Sequence, residues 1–311
     1  LLVLPELGLT GYTCGDLLLQ PTLLAGAQDA LQALLEESRA LSLTTVAGLP
    51  LAVEGKLYNC AAVLHRGQLL GIVPKLNLPN YGEFYEERWF TPAPAEVKTI
   101  SLLGQEVPFG SRLLFCCREL PEYKLAVELC EDLWVASPPS IRHAVAGATV
   151  IANCSASDET IGKAEYRRSL VTGQSARLMA GYLYADAGRG ESTTDMVFAG
   201  HDLIAENGKL LAETALFTND LILTELDVHR LFAERRRTTT WPAAETSGYT
   251  MVPFSLPMGE TTLTRFIDPH PFVPVDDAER RERCETILAM QAEGLRRRLE
   301  HIGCPKAVLG I

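Results

Sequence analysis

No run of ~18 consecutive apolar residues occurs in this 311-residue chain, so nothing in it has the length and character of a membrane-crossing helix. Positive charge is scarce: 28 Lys and Arg stand against 39 Asp and Glu, a formal net charge of −11. That balance disfavours a nucleic-acid surface, which needs clustered Lys and Arg against phosphates. The one basic run, Arg235-Arg236-Arg237, follows Glu234 and reads as a solvated or interface face. Cysteine is modest and unpatterned. The eight thiols form no CxxC pair and fall short of a disulfide scaffold, so reduced cysteines in a cytoplasmic protein are expected. A GxSxG elbow, a GxxxxGK[ST] phosphate loop and an HExxH zinc helix are all missing, and the six histidines are scattered. There is no internal repeat and no low-complexity tract.

What the chain does have is an ordinary globular composition, 47% hydrophobic and 22% charged. It also has apolar runs that end abruptly in reactive side chains. Leu1-Leu2-Val3-Leu4-Pro5 leads into Glu6, Leu69-Leu70-Gly71-Ile72-Val73-Pro74 into Lys75, and Leu125-Ala126-Val127-Glu128-Leu129 into Cys130. Each run reads as a strand. In α/β proteins ligands bind beyond the carboxyl ends of the strands, where residues distant in sequence converge. A carboxylate, an ammonium and a thiol brought together there suit acyl transfer, with Glu6 as general base, Lys75 on the developing oxyanion and Cys130 as the nucleophile that forms a thioester. Taken singly, each position has a plainer reading: Cys130 as an inert buried thiol, Pro-Glu and Pro-Lys as surface turns.

The combination resembles the nitrilase, or carbon–nitrogen hydrolase, superfamily, with its Glu-Lys-Cys triad at three strand ends. Leu-Pro-Glu-Leu-Gly-Leu-Thr-Gly-Tyr (4–12), Pro-Lys-Leu-Asn-Leu-Pro-Asn-Tyr-Gly-Glu-Phe-Tyr-Glu-Glu-Arg-Trp-Phe (74–90) and Glu-Leu-Cys-Glu-Asp-Leu-Trp (128–134) are similar to the glutaminase domain of glutamine-dependent NAD synthetases. The resemblance implies an α/β fold, a nitrilase-like α/β/β/α sandwich that hydrolyses the glutamine side-chain amide without a cofactor. It further implies that the ammonia serves amidation of deamido-NAD, with ATP and magnesium, in a homo-oligomer. It assigns Glu83 to positioning Lys75 and substrate, and Tyr81 and Phe84 to a glutamine pocket. Glu131, Ser157 and Lys163 become candidates for the polar end of the substrate; a Ser-rich helix cap is the other reading of Ser157. Lys163 stands where the family often has arginine, and lysine cannot make the bidentate fork to a carboxylate. A stand-alone amidase for another small amide, and a catalytically silent scaffold, are the rival functions.

The expected domains are 1–230 for the sandwich, 231–271 for a Pro-rich linker and 272–311 for the truncated start of an ATP-using α/β domain. Residues upstream of Leu1 are expected as well. Expected helices cover the Leu31, Leu34 and Leu35 face, 165–187 and 283–300; expected strands cover 44–49, 57–64, 69–73, 148–153, 196–199, 203–205, 221–226 and 306–311.

Overall fold

A computed structural model describes residues 1–311 apart from 260, 263, 309 and 311. The chain divides into Leu1–Leu263 and Thr264–Ile311.

The first unit runs β1 (Leu2–Val3), α1 (Pro21–Ser38), β2 (Thr44–Val53), β3 (Lys56–His65), β4 (Gln68–Pro74), β5 (Lys98–Leu102), β6 (Gln105–Phe109), β7 (Leu113–Cys117) and β8 (Lys124–Leu129). It continues through α2 (Glu131–Trp134), α3 (Pro139–Val145), β9 (Val150–Ser155), α4 (Lys163–Leu178), β10 (Gly181–Asp186), β11 (Leu203–Glu206), β12 (Lys209–Glu213), α5 (Val228–Arg237) and β13 (Thr250–Phe254). Among the described residues the strands form two sheets, ordered β1-β2-β3-β4-β6-β5 and β12-β11-β10-β9-β8-β7-β13.

Strand periodicity decides how these sheets stack. Alternate side chains point to opposite faces, so Val46, Val63 and Val73 of one sheet meet Phe115, Val127, Leu129 and Ala152 of the other in a dry inner layer. The opposite faces are apolar too. Leu49, Leu51 and Leu64 pack against Leu31 and Leu35 of α1, while Ala126, Ile151 and Tyr182 pack against Ala144 of α3 and Val171 and Leu178 of α4. The outcome is four layers, helix–sheet–sheet–helix. The hairpin turns Arg66-Gly67 and Leu103-Gly104 each put both residues at positive φ, matching the twist of the strands they join.

The stretch 165–187 is not one helix: α4 stops at Leu178, Met179 turns at φ 44°, and residues 181–186 become β10, hydrogen-bonded between β9 and β11. Two flanking strands outweigh the helical spacing. Residues 221–226 form no strand, and near 196–199 there is only an isolated bridge from Phe198 to Asp158. Nor is 231–271 a linker throughout. Leu231 and Arg235 of α5 are buried, and β13 pairs in parallel with β7, completing the second sheet. Arg235, expected on a solvated or interface face, is buried, donates to the carbonyls of Leu178 and Ala148 and lies 4.5 Å from the Trp241 ring. It satisfies the orphan Leu178 carbonyl at the end of α4 and the Ala148 carbonyl ahead of β9.

The second unit contains α6 (Asp277–His301), with the Asp276 side chain accepting from the Glu279 N–H as its cap. None of the described α6 residues is buried. Residues 306–308 and 310 form no strand, and positions 309 and 311 of that expected strand lie outside the described residues.

Candidate active site

The ends of β1, β4 and β8 meet where the two sheets open. After β1 the chain turns sharply: the Glu6 N–H reaches across to the Ser155 carbonyl at 3.2 Å, and Leu7 adopts φ 51°. This turn lies directly on β2 at Gly48. A Cβ there would come within 2.4 Å of the Leu7 nitrogen and the Pro5 carbonyl oxygen. Glycine is therefore required beneath the turn that delivers Glu6.

Lys75 follows β4, its backbone pinned by N–H donation to Asn59 and by acceptance from Ala93, both at 2.8 Å. Its ammonium is fully buried, 2.6 Å from Glu6 Oε1 and 2.6 Å from Glu86 Oε1. A buried lysine is stable only when its charge is paired, and here two carboxylates share it. Asn59 Nδ2 donates to Glu6 Oε1 at 2.7 Å, and the Tyr12 hydroxyl donates to Glu86 Oε1 at 2.8 Å. Glu6 Oε2, also buried, has no hydrogen-bond partner among the described residues. Burial pushes the Glu6 carboxyl up to about 7 against the pull of Lys75. Lys75 itself loses ground through burial, but Glu6 and Glu86 more than restore it and hold its pKa above the ordinary value.

Cys130 stands between β8 and α2 at φ 38°, ψ −99°. A non-glycine residue rarely adopts such a backbone, and it persists only where its surroundings over-determine it. The Cys130 N–H is held by Asn153 Oδ1 and the Cys154 carbonyl, each at 3.0 Å. Asp132 ties the same turn to the lysine loop, accepting from the Leu129 N–H at 3.1 Å and the Asn77 N–H at 2.9 Å. Cys130 is 6% exposed. Burial and the charge of Glu6 push its pKa well up, with Lys75 pulling the other way. A thiol in that state attacks only if its proton leaves as the bond forms, which calls for a base close by.

The second carboxylate on Lys75 is Glu86, not the expected Glu83. Glu83 sits partly exposed in the loop, whereas the turn at 86–88 carries Glu86 into the buried interior. Counting residues from Lys75 could not find it. The better signal was the Glu86-Glu87-Arg88-Trp89-Phe90 text itself, where one acid precedes two large aromatics that must pack.

Of the expected substrate-facing residues, four form one group of contacts. The Tyr81 hydroxyl donates to Glu131 Oε1 at 2.8 Å, and the Tyr81 and Phe84 rings meet edge-on at 6.3 Å. Lys163 Nζ lies 5.8 Å from the Phe84 ring and 5.6 Å from the Trp134 ring, paired with Asp158. Trp134 and Asp158 were not anticipated. Ser157 differs from the rest. It is buried, its N–H goes to Asp186 Oδ1 at 2.7 Å, and its hydroxyl accepts from Arg167 Nη2 at 3.0 Å, so its polar groups are already engaged.

The family model for carbon-nitrogen hydrolases matches residues 1–236. The chain belongs to this family. Among curated relatives, the glutamine-dependent NAD(+) synthetase of Mycobacterium bovis is 43% identical over 321 residues, covering 100% of this chain and 47% of that protein. The chain thus spans about half the length of the curated relatives it matches. Among solved structures, a glutamine-dependent NAD(+) synthetase from Cytophaga hutchinsonii superimposes with a TM-score of 0.62 at 32% identity, over 70% of this chain and 34% of that one. An amidase of the nitrilase superfamily from Nesterenkonia, at 19% identity and a TM-score of 0.52 over 69% of this chain and 72% of its own, shares the fold.

Proposed function

We propose that this chain hydrolyses the side-chain amide of glutamine to glutamate and ammonia, and that the ammonia serves ATP-dependent amidation of deamido-NAD to NAD. The observation that carries the chemistry is the buried contact of Lys75 with Glu6 at 2.6 Å beside the strained Cys130 turn. Support for the substrate comes from the 43% identity to a glutamine-dependent synthetase over the whole chain.

In this reading Cys130 Sγ bonds to the amide carbon as its proton passes to Glu6 Oε2, the oxygen without another partner. Lysine has three N–H donors. Two are spent on Glu6 and Glu86, and the third, with a backbone N–H, opposes the oxyanion. Glu6 returns its proton to the leaving nitrogen, the C–N bond breaks and ammonia departs, leaving the thioester. Water then gives a proton to Glu6 and its oxygen to the acyl carbon, and the thiol re-forms. Glu131 and Lys163 read the α-amino and α-carboxylate groups, with Tyr81 and Phe84 walling the pocket; Ser157 contributes by holding Arg167 and Asp158 behind it. Hydrolysis uses no metal or cofactor, and ATP with magnesium belongs to the amidation step. Eight free thiols fit a reducing, cytoplasmic setting, and a homo-oligomer is part of the same reading.

Steady-state release of glutamate is the test, with glutamine and a simple aliphatic amide as competing substrates. Preference for glutamine by at least an order of magnitude in kcat/KM is expected. Equal use of both would favour a general amidase, and turnover of neither a silent scaffold.

A further inference from the structure

Behind the Cys130 turn, on the helix-covered face of the second sheet, runs a chain of buried polar side chains to which the proposed hydrolysis gives no role. Glu128, two residues before Cys130 on β8, points between the sheet and α3 and is buried. Its Oε2 accepts the Ser140 N–H at 2.7 Å, and its Oε1 accepts the Tyr182 hydroxyl. The Tyr182 oxygen accepts from Asn153 Nδ2 at 3.0 Å. Asn153 Oδ1 then accepts from the Cys130 N–H at 3.0 Å and from the Ser155 hydroxyl at 2.7 Å.

The direction of every bond in this chain follows from its first member. An ionised carboxylate only accepts, and a phenol has a single proton. Once Tyr182 gives that proton to Glu128, its oxygen can only accept from Asn153. Asn153 must then present its NH₂ to Tyr182 and its carbonyl to Cys130. We propose that Glu128 is a positioning residue for the Cys130 nucleophile, fixing through Tyr182 the amide orientation by which Asn153 holds the strained Cys130 peptide. This rests on the amide-hydrolysis reading for its function and on the bonding pattern for its geometry. The physical need is plain. A backbone at φ 38° relaxes unless something holds it, and the Cys154 carbonyl alone is one acceptor for a peptide whose tilt also aims the thiol.

The test exploits polarity. In Glu128→Gln the Ser140 N–H demands the amide oxygen, so the new NH₂ faces Tyr182 and donates to it. The phenol proton is displaced toward Asn153, the Asn153 amide flips, and its NH₂ meets the Cys130 N–H, donor against donor. Removing the phenol breaks this transmission, because in Tyr182→Phe the Asn153 carbonyl is free to stay on Cys130 and Ser155. Activity is measured at pH 8, where Glu128, pushed up to about 7 by burial, is ionised. Glu128→Gln should lower kcat roughly 100-fold, the scale expected for a reacting atom displaced by about 1 Å, with KM little changed. Tyr182→Phe, in which the Asn153 amide loses the group that fixes it but keeps Cys130 and Ser155 as partners, should lose about tenfold, well short of that scale. The double variant should recover to the level of Tyr182→Phe alone. Recovery on deleting a second hydrogen-bonding group is not what a purely structural role gives, since two lost buried bonds would add. Additive losses, or a Glu128→Gln enzyme within twofold of wild type, would overturn the proposal.

If Glu128→Gln does not fold, Asn153→Ala against Tyr182→Phe carries the test. Loss of roughly 100-fold in the first and about tenfold in the second is expected, and equal losses, or a Tyr182→Phe enzyme indistinguishable from wild type, overturn the idea. Alkylation of Cys130 by iodoacetamide, followed by mass spectrometry, separates this inference from the substrate reading. Should the wild type fail to hydrolyse glutamine, the substrate reading falls. Alkylation slowed in Glu128→Gln and restored in the double variant would still support positioning, and unchanged rates would end it.

Discussion

Glu86 Oε1 lies 2.6 Å from Lys75 Nζ, the same separation at which the ammonium meets Glu6 Oε1. One buried cation thus serves two carboxylates, and its position is set by both. Replacing Glu86 with glutamine keeps the volume but removes half of that clamp, so Lys75 is drawn toward Glu6. Glu86→Gln is expected to lower kcat for glutamine roughly 100-fold, on the scale of a misplaced catalytic group. Glu83→Gln, altering a partly exposed loop acid, should leave kcat near wild type and change only KM. Steady-state kinetics of the two variants side by side decide which glutamate belongs to the lysine.

The two buried acids also predict that activity and stability respond to pH in opposite directions. Glu6 works as a base only when ionised, and burial holds its pKa up at about 7. Activity, as kcat/KM, should therefore fall at least tenfold per unit as pH drops below that value. For folding the sign reverses. Glu6 and Glu128 both have folded pKa values raised to about 7, so between the ordinary carboxylate range and 7 the native state binds more protons than the unfolded chain. Their contribution to stability is complete below the unfolded pKa and is lost as pH rises through the folded one. The slope is about 1.4 kcal/mol per pH unit for each group. Thermal melts and rate profiles over pH 5–8 should show Tm falling while kcat/KM rises. An acid limb at the ordinary carboxylate pKa would show that Glu6 is not desolvated in this way.

Lys163 offers a separable test of substrate choice. Its ammonium is held by Asp158 over the Phe84 and Trp134 rings, away from Glu6 and Lys75 in the chain of contacts. Lys163→Ala should raise KM for glutamine by about tenfold or more, the loss of one charge-assisted hydrogen bond to a carboxylate. Turnover of a simple amide should be unaffected. Lys163→Arg should lower KM, since guanidinium grips a carboxylate with two parallel bonds. A proportional loss on both substrates in the alanine variant would mean that Lys163 supports the loop and does not select the substrate.

How far the sequence could be read depended on whether a signal was local. Glu6, Lys75 and Cys130 were legible because each ends an apolar run, and β2, β3 and β4 because their alternation is framed by turns such as Arg66-Gly67. β10 was not: its six residues follow α4 without proline, and only pairing on both sides makes them a strand. β13 was hidden for a similar reason, since Pro253 lies within it and the ladder to β7 is 130-odd residues distant in sequence. Residues 91–123 contain β5 and β6, short and partly exposed, and β7, a short and nearly fully buried run, none of which periodicity alone resolved. The same holds at the site. Asn59, Asn153 and Tyr182 act through hydrogen bonds to residues far along the chain, and an asparagine within a strand carries no local mark of its partner.

The central claim, that Cys130 carries the acyl group of glutamine, is tested most directly by trapping the intermediate. Wild-type protein is mixed with glutamine, quenched in acid within its first turnovers, digested and mapped by mass spectrometry. The account predicts a glutamyl thioester on the peptide containing Cys130, absent from Cys130→Ala, which folds normally but releases no glutamate. A thioester on another of the eight cysteines, or sustained glutamate release by Cys130→Ala, would contradict it.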